Sequence, residues 1–249
     1  MKIRALLCLL LFWSLATGGG AARAASADLA TDLANAVGMN QPAAVRAALD
    51  AGADINAKFD GRTPLISAVI MSNPEAVKVL LERGADPNRQ ADDAVVGNAV
   101  TAAFFAINGT QLIGMTELDA KRHARALEVL KLVVQAKGAD LNLLVRRVTT
   151  QQTPLMIAAE AGAADVVQVL LDAGANPNAA NGGKYTALDY AIERAPRWSE
   201  QPASNRPLIV RALLEKGARK DRKPADGVTP IERAKRAGNP EIAALLAAR

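Results

Sequence analysis

His123 is the single histidine in 249 residues, and Cys8 is the single cysteine. Acyl-transfer chemistry needs a nucleophile with a base held beside it, and a zinc site needs three or four converging ligands. One histidine, flanked by Arg122 and Arg125, supplies neither. There is no phosphate loop, dinucleotide fingerprint or calcium loop. Gly182-Gly183 reads as a turn, and Asp92-Asp93 as an acidic turn. No carboxylate pair stands out by spacing. The reading is a chain that binds rather than catalyses, with no cofactor and no metal.

The N-terminus has to be set apart from the folded chain. Lys2 and Arg4 precede an apolar run from Ala5 to Leu15, broken by Gly18, Gly19 and Gly20. A bilayer crossing takes roughly 20 apolar residues, so the run is too short for one. Small-residue patterns follow at Ala22-Arg23-Ala24 and Ala25-Ser26-Ala27, which reads as a secretory signal cut between 24 and 27. Residues 28–249 are then the mature domain, periplasmic or secreted. Cys8 leaves with the signal, so packing rather than disulfides must hold the fold.

Removing residues 1–27 takes away three basic and no acidic residues, leaving 27 against 25 and a net charge of +2 instead of +5. Residues 28–193 hold 14 basic and 19 acidic residues, whereas 194–249 hold 13 and 6. The basic end is read first as a solvated end repeat. It is also suited to steering an acidic partner or touching anionic lipid.

One phrase recurs. Thr63-Pro64-Leu65-Ile66-Ser67-Ala68 matches Thr153-Pro154-Leu155-Met156-Ile157-Ala158, and changed copies begin at Thr101, Thr186 and Thr229. A second phrase follows: Leu80-Leu81-Glu82-Arg83-Gly84-Ala85-Asp86-Pro87-Asn88 corresponds to Leu170-Leu171-Asp172-Ala173-Gly174-Ala175-Asn176-Pro177-Asn178. Thr63 is placed to cap a helix, with Pro64 at its first position, where no N–H is needed. Leu65, Ala68 and Val69 form a narrow apolar stripe. Asn73-Pro74 ends this helix and opens the next, where Val77, Leu80 and Leu81 are spaced for burial. Gly84 suits a left-handed C-terminal turn.

These phrases resemble the ankyrin repeat, whose unit is about 33 residues with a Thr-Pro-Leu-His-x-Ala signature. Thr153 to Thr186 is 33 residues, and the other spacings are 38, 52 and 43. The resemblance implies an all-α solenoid of about six helix-turn-helix units with β-turn fingers. The units run approximately over 28–58, 59–90, 91–144, 145–179, 180–220 and 221–249. The signature histidine is replaced by Ile66, Phe104, Met156, Asp189 and Glu232. That loses a tie between turns and predicts looser turns.

The resemblance also implies a partner on the concave side. The finger positions are Phe59, Asp60, Arg62, Asn98, Val100, Gln152, Tyr185 and Val228. The inner-helix positions are Ile70, Met71, Asn108, Glu160, Glu193, Arg194 and Arg236. Insertions at Asn108–Arg122 and Arg194–Pro207 add Trp198 as a candidate anchor. Arg233, Lys235 and Arg236 are expected to give the last repeat a polar face, and Arg219 to Lys223 reads as a solvated basic turn.

The expected function is a monomeric, non-catalytic protein-binding module of the periplasm. An immunity or inhibitor protein for a periplasm-acting toxin is its most specific form. The alternatives are an envelope stress-protective or scaffold factor with broader binding, and a secreted host-directed effector. Neither nucleic acid nor the membrane surface is an expected partner.

Overall fold

The fold comes from a computed structural model, which describes residues 28–92, 103, 117–146, 151–192 and 205–248. The opening motifs behave as their chemistry predicts. Thr63 Oγ1 accepts the Ile66 N–H at 3.2 Å, and Pro64 starts helix α3 (Pro64–Ile70). Thr153 does the same for α6 (Pro154–Ala161), and Thr229 for α10 (Pro230–Arg236). Helix α8 (Ala187–Ile192) follows Thr186, and the first inner helix, α1, covers 28–38. Ala103 is helical and buried.

A second row of helices follows the first. It comprises α2 (Pro42–Asp50), α4 (Pro74–Glu82), α5 (Glu117–Val134), α7 (Ala164–Asp172), α9 (Asn205–Glu215) and α11 (Pro240–Ala247). Consecutive members pack on one another along this outer row, while α6, α8 and α10 pack along the inner row. Two parallel rows of antiparallel helix pairs make a solenoid, in which each unit leans on its neighbours.

Composition tracks place in the stack. Helix α6 reads PLMIAAEA and buries every residue except Glu160, packed against α7, α8 and the finger strand before it. Helix α10 reads PIERAKR and buries only Pro230 and Ala234, packed among the described residues against α8 and α11. The small alanines at positions such as Ala68, Ala158 and Ala191 are fully buried and let the rows approach closely. Burying a side chain such as Leu155 or Leu170 stabilises the fold by about 2 kcal/mol.

Asparagines tie one unit to the next. Asn56 Oδ1 accepts the Asp86 N–H at 3.0 Å, and Asn88 Oδ1 accepts that of Asp140 at 2.8 Å. Asn142 Oδ1 takes the Asn176 N–H, and Asn178 Oδ1 takes the Arg219 N–H, both at 2.8 Å. Asn88 and Asn178 also donate to the carbonyls of Gly138 and Gly217. Those glycines, like Gly84 and Gly174, hold the left-handed φ that ends each outer helix.

The longer spacings are absorbed without breaking this register. Helix α5 has 18 residues where α4 and α7 have nine, so part of the third-repeat insertion extends its outer helix. Residues 117–122, read from sequence as a link, are helical, as are 205–207 in the fifth repeat. His123, on the extended stretch, places Nε2 2.7 Å from Asp165 Oδ2 at the start of α7.

Where the signature histidine is missing, its replacements Met156, Asp189 and Glu232 bond within their own turn rather than to a neighbouring one. Asp189 Oδ2 accepts both the Thr186 N–H (2.8 Å) and its hydroxyl (3.0 Å), and Glu232 Oε2 does the same at Thr229 (2.9 and 2.8 Å). Met156 Sδ takes the Thr153 N–H at 3.4 Å. One expectation needs correction: the basic turn is not merely solvated. Arg222 donates to the Asn178 carbonyl at 2.9 Å, Lys220 to the Ala248 carbonyl, and Arg219 pairs with Asp221.

Candidate partner-binding surface

The second-repeat finger is a tight hairpin. Phe59 and Arg62 exchange both backbone hydrogen bonds, at 2.9 and 3.1 Å. Between them Asp60 and Gly61 have φ of 49° and 74°. An Asp-Gly pair is suited to two successive left-handed residues. A side chain at 61 would also crowd Asp92, which approaches to 3.2 Å of a Cβ placed there. Asp92 donates its N–H to the Gly61 carbonyl at 2.8 Å, and its carboxylate pairs with Lys58. The finger is therefore braced, and it holds Phe59 46% exposed.

At the other end of the same inner helix, Ile70 is half-buried and Met71 is 56% exposed. One repeat thus carries an apolar finger and an apolar helix end. Met39 repeats the helix-end position in the first unit and is 68% exposed.

The fourth-repeat finger differs. Strand β1 (Val145–Arg146) pairs antiparallel with β2 (Gln151–Gln152), Val145 opposite Gln152. Strand alternation turns Gln151 outward and Gln152 inward beside buried Val145. Gln152 is only 2% exposed, and its amide donates to Glu160 Oε2 at 2.9 Å. The expectation that Gln152 faces a partner is therefore overturned. It positions Glu160, which is half-buried on the inner helix.

Tyr185 is committed to stacking between repeats. One side of its ring lies where a Cβ of residue 183 would come to 2.8 Å, so only glycine fits there. The Arg233 guanidinium sits 5.3 Å from the ring centroid, and the Tyr190 ring lies 6.3 Å away. Arg233 Nη2 pairs with Asp226 Oδ2 at 2.7 Å, and its Nε lies 3.7 Å from Asp189 Oδ1. Burial pushes the Asp189 carboxyl above the ordinary range. The Val228 N–H first, with Arg233 adding to it, holds Asp226 below that range. Arg233 is thus not part of a polar face, with 12% of its side chain exposed, whereas Lys235 and Arg236 are exposed.

Sequence reasoning missed Arg206. It is 6% exposed, and its guanidinium donates to the carbonyls of Ala191 (2.8 Å), Glu160 (3.1 Å) and Tyr190 (3.3 Å). Carbonyls near the ends of two inner helices are thereby satisfied from the outer row. Val228 is half-buried and Asp60 exposed. Asn98, Val100, Asn108, Glu193, Arg194 and Trp198 lie outside the described residues, as do residues 1–27. Among the described residues no group of three or more metal-binding side chains converges, and no helix is long and apolar enough to cross a membrane.

Two stretches of the sequence match family profiles. Ankyrin repeats (3 copies) match residues 9–91, and Ankyrin repeats (many copies) match residues 143–191. The chain belongs to the ankyrin-repeat family. No curated protein matches it. Among solved structures it is similar to an ankyrin repeat domain from Acinetobacter baumannii AYE. The identity is 28% and the TM-score 0.66, covering 86% of this chain and 95% of that one. It is likewise similar to the ankyrin repeat protein EF0377, at 26% and 0.66, covering 88% and 97%. A third likeness is to a chain from the predatory endopeptidase of Bdellovibrio bacteriovorus in complex with an immunity protein. At 24% identity and a TM-score of 0.58, covering 86% and 96%, it shows the ankyrin fold alone. Ankyrin repeats are generally non-catalytic modules that mediate protein–protein interaction, and this chain has that architecture.

Proposed function

We propose that this ankyrin protein is a non-catalytic binding module exported by residues 1–27 to the periplasm, and that its concave side holds one partner protein. The observation that carries the reading is the pair Phe59 and Met71, 46% and 56% exposed on one braced repeat. A rigid finger pays little conformational entropy when it binds, and aromatic and methionine side chains are enriched at interfaces. Residues 28–249 form the binding domain, and inhibition of a toxin that acts in the periplasm is the specific role we favour. The basic turn supports a single partner over broad, salt-sensitive binding, because Arg219, Lys220 and Arg222 are engaged within the protein.

The test is capture from periplasmic extract with three baits. The unaltered protein is expected to enrich one dominant species. Phe59→Ala/Met71→Ala is expected to lose it by more than about tenfold, as removal of two interface anchors implies. Leu208→Ala, which truncates an exposed side chain on the outer row, is expected to retain it. Equal capture by all three baits would refute the concave assignment.

A further inference from the structure

Met39 and Met71 occupy equivalent places in the first two repeats. Each follows the last turn of an inner helix and stands three residues before the proline that opens the outer helix, Pro42 or Pro74. Their exposures of 68% and 56% contrast with Met156, which is 0% exposed and has its sulfur engaged by the Thr153 N–H. Thioether oxidation follows access, so reactivity should divide along the same line.

Met71 also sits on a seam. Its sulfur lies 3.8 Å from the point where a Cβ on Gly38 would be, beside the turn that ends α1. On that edge Asn73 Nδ2 donates to the carbonyls of Val37 (2.9 Å) and Gly38 (3.3 Å). Asn40 Oδ1 accepts the Ala76 N–H at 3.1 Å. These three bonds seat the first repeat on the second. Met39 lines an open groove of about 380 Å³ at the outer side of the first repeat, with Leu29, Ala36, Ala44 and Ala48.

We propose that Met39 and Met71 are a paired oxidation site for peroxides, and that their oxidation loosens the seat of the first repeat. The sulfur lone pair attacks a peroxide oxygen, an S–O bond forms and the O–O bond breaks. The leaving hydroxide takes up a proton as water. Sulfur loses two electrons and the peroxide is reduced. An apolar, flexible side chain becomes a polar one with a strong acceptor oxygen. At Met71 that oxygen is placed on the turn whose carbonyls Asn73 serves. At Met39 it makes the end groove polar. This inference concerns the chain by itself and stands apart from any partner.

The experiment treats the purified protein with hydrogen peroxide, followed by peptide mass mapping and amide hydrogen exchange. Met39 and Met71 are expected to oxidise about tenfold faster than Met156, in line with their access. After oxidation, exchange over 28–50 should speed up several-fold while 154–172 stays unchanged, and sulfoxide reductase should reverse the effect. Met39→Leu/Met71→Leu should show no peroxide-induced change in exchange over 28–50. Met71→Leu alone should leave a Met39 adduct and a smaller rise in exchange over 28–50. Oxidation of Met156 as fast as the others would overturn the proposal. So would unchanged exchange over 28–50 with both sulfoxides in place.

Discussion

Asn88 and Asp140 are 52 residues apart and joined by a 2.8 Å hydrogen bond from the Asp140 N–H to the Asn88 side chain. Asn178 and Arg219, 41 apart, are joined in the same way at the same distance. The described part of the third repeat therefore keeps its register, tied to the second repeat through Asn88 and to the fourth through Asn142. Asn88→Ala removes this bond and the one to Gly138. At about 1 kcal/mol per bond the cost is about 2 kcal/mol, a fall of several degrees in Tm. Asn178→Ala, which also breaks two bonds, should cost about the same. An unchanged Tm for Asn88→Ala alone would show that the tie between the second and third repeats bears no load in the stack.

Much of this was legible because it is local. Thr63-Pro64 and Gly84 state a helix start and a helix stop within a few residues, and both are found as read. The asparagine ties were written in the sequence too, as Asn56, Asn88, Asn142 and Asn178 in repeated phrases. They read only as turn residues, since their partners lie 30 or more residues away. Gln152 was misplaced because the finger before it is longer. Asn142 to Thr153 spans 11 residues where Asn178 to Thr186 spans 8, and strand pairing turned the side chain inward. Arg206 and Arg233 resemble any surface arginine in sequence, and their burial follows from which helix ends the stack brings together. Phe59 was legible through the ankyrin resemblance, which places it at a finger tip.

Thr153 separates capping from packing. Its hydroxyl accepts the Met156 N–H at 3.3 Å and the residue is 2% exposed. Thr153→Ala should cost about 1 to 2 kcal/mol through the lost cap. Thr153→Ser, which keeps the oxygen, should cost under about half of that. Denaturant midpoints at equal m-value decide it. If the two variants match, the methyl group and not the cap is what matters at this position.

Arg206 serves three backbone carbonyls from the outer row. Arg206→Met keeps most of the apolar stem and removes every donor, so buried acceptors at two helix ends lose their partner. The expected loss is about 3 kcal/mol. Arg206→Lys, a point charge without the planar fork, should recover less than half of that. Hydrogen exchange should place the opening at α8 and the end of α6, leaving α3 and α4 as protected as before. A uniform loss of protection would argue that Arg206 supports the stack as a whole.

Asp189 gives the sign of a pH effect. Its side chain is 3% exposed and burial pushes its carboxyl upward, so the folded protein binds a proton there more readily than the unfolded chain. The stability linked to this group is fully present below the ordinary carboxylate value of about 4, and it is lost as pH rises through the raised folded value. Asp189→Asn removes that loss. It keeps a carbonyl oxygen for the Thr186 N–H, and Arg233 keeps Asp226. The difference in unfolding free energy between variant and parent should therefore grow in favour of the variant from about pH 4 upward and then level off. The reverse change, Arg233→Met, leaves a buried carboxylate without its counter-charge and should cost about 3 kcal/mol at neutral pH. That cost should shrink on acidification as Asp189 takes up its proton. If the cost of Arg233→Met were the same at pH 4 and pH 7, Asp189 would not be the group that Arg233 offsets.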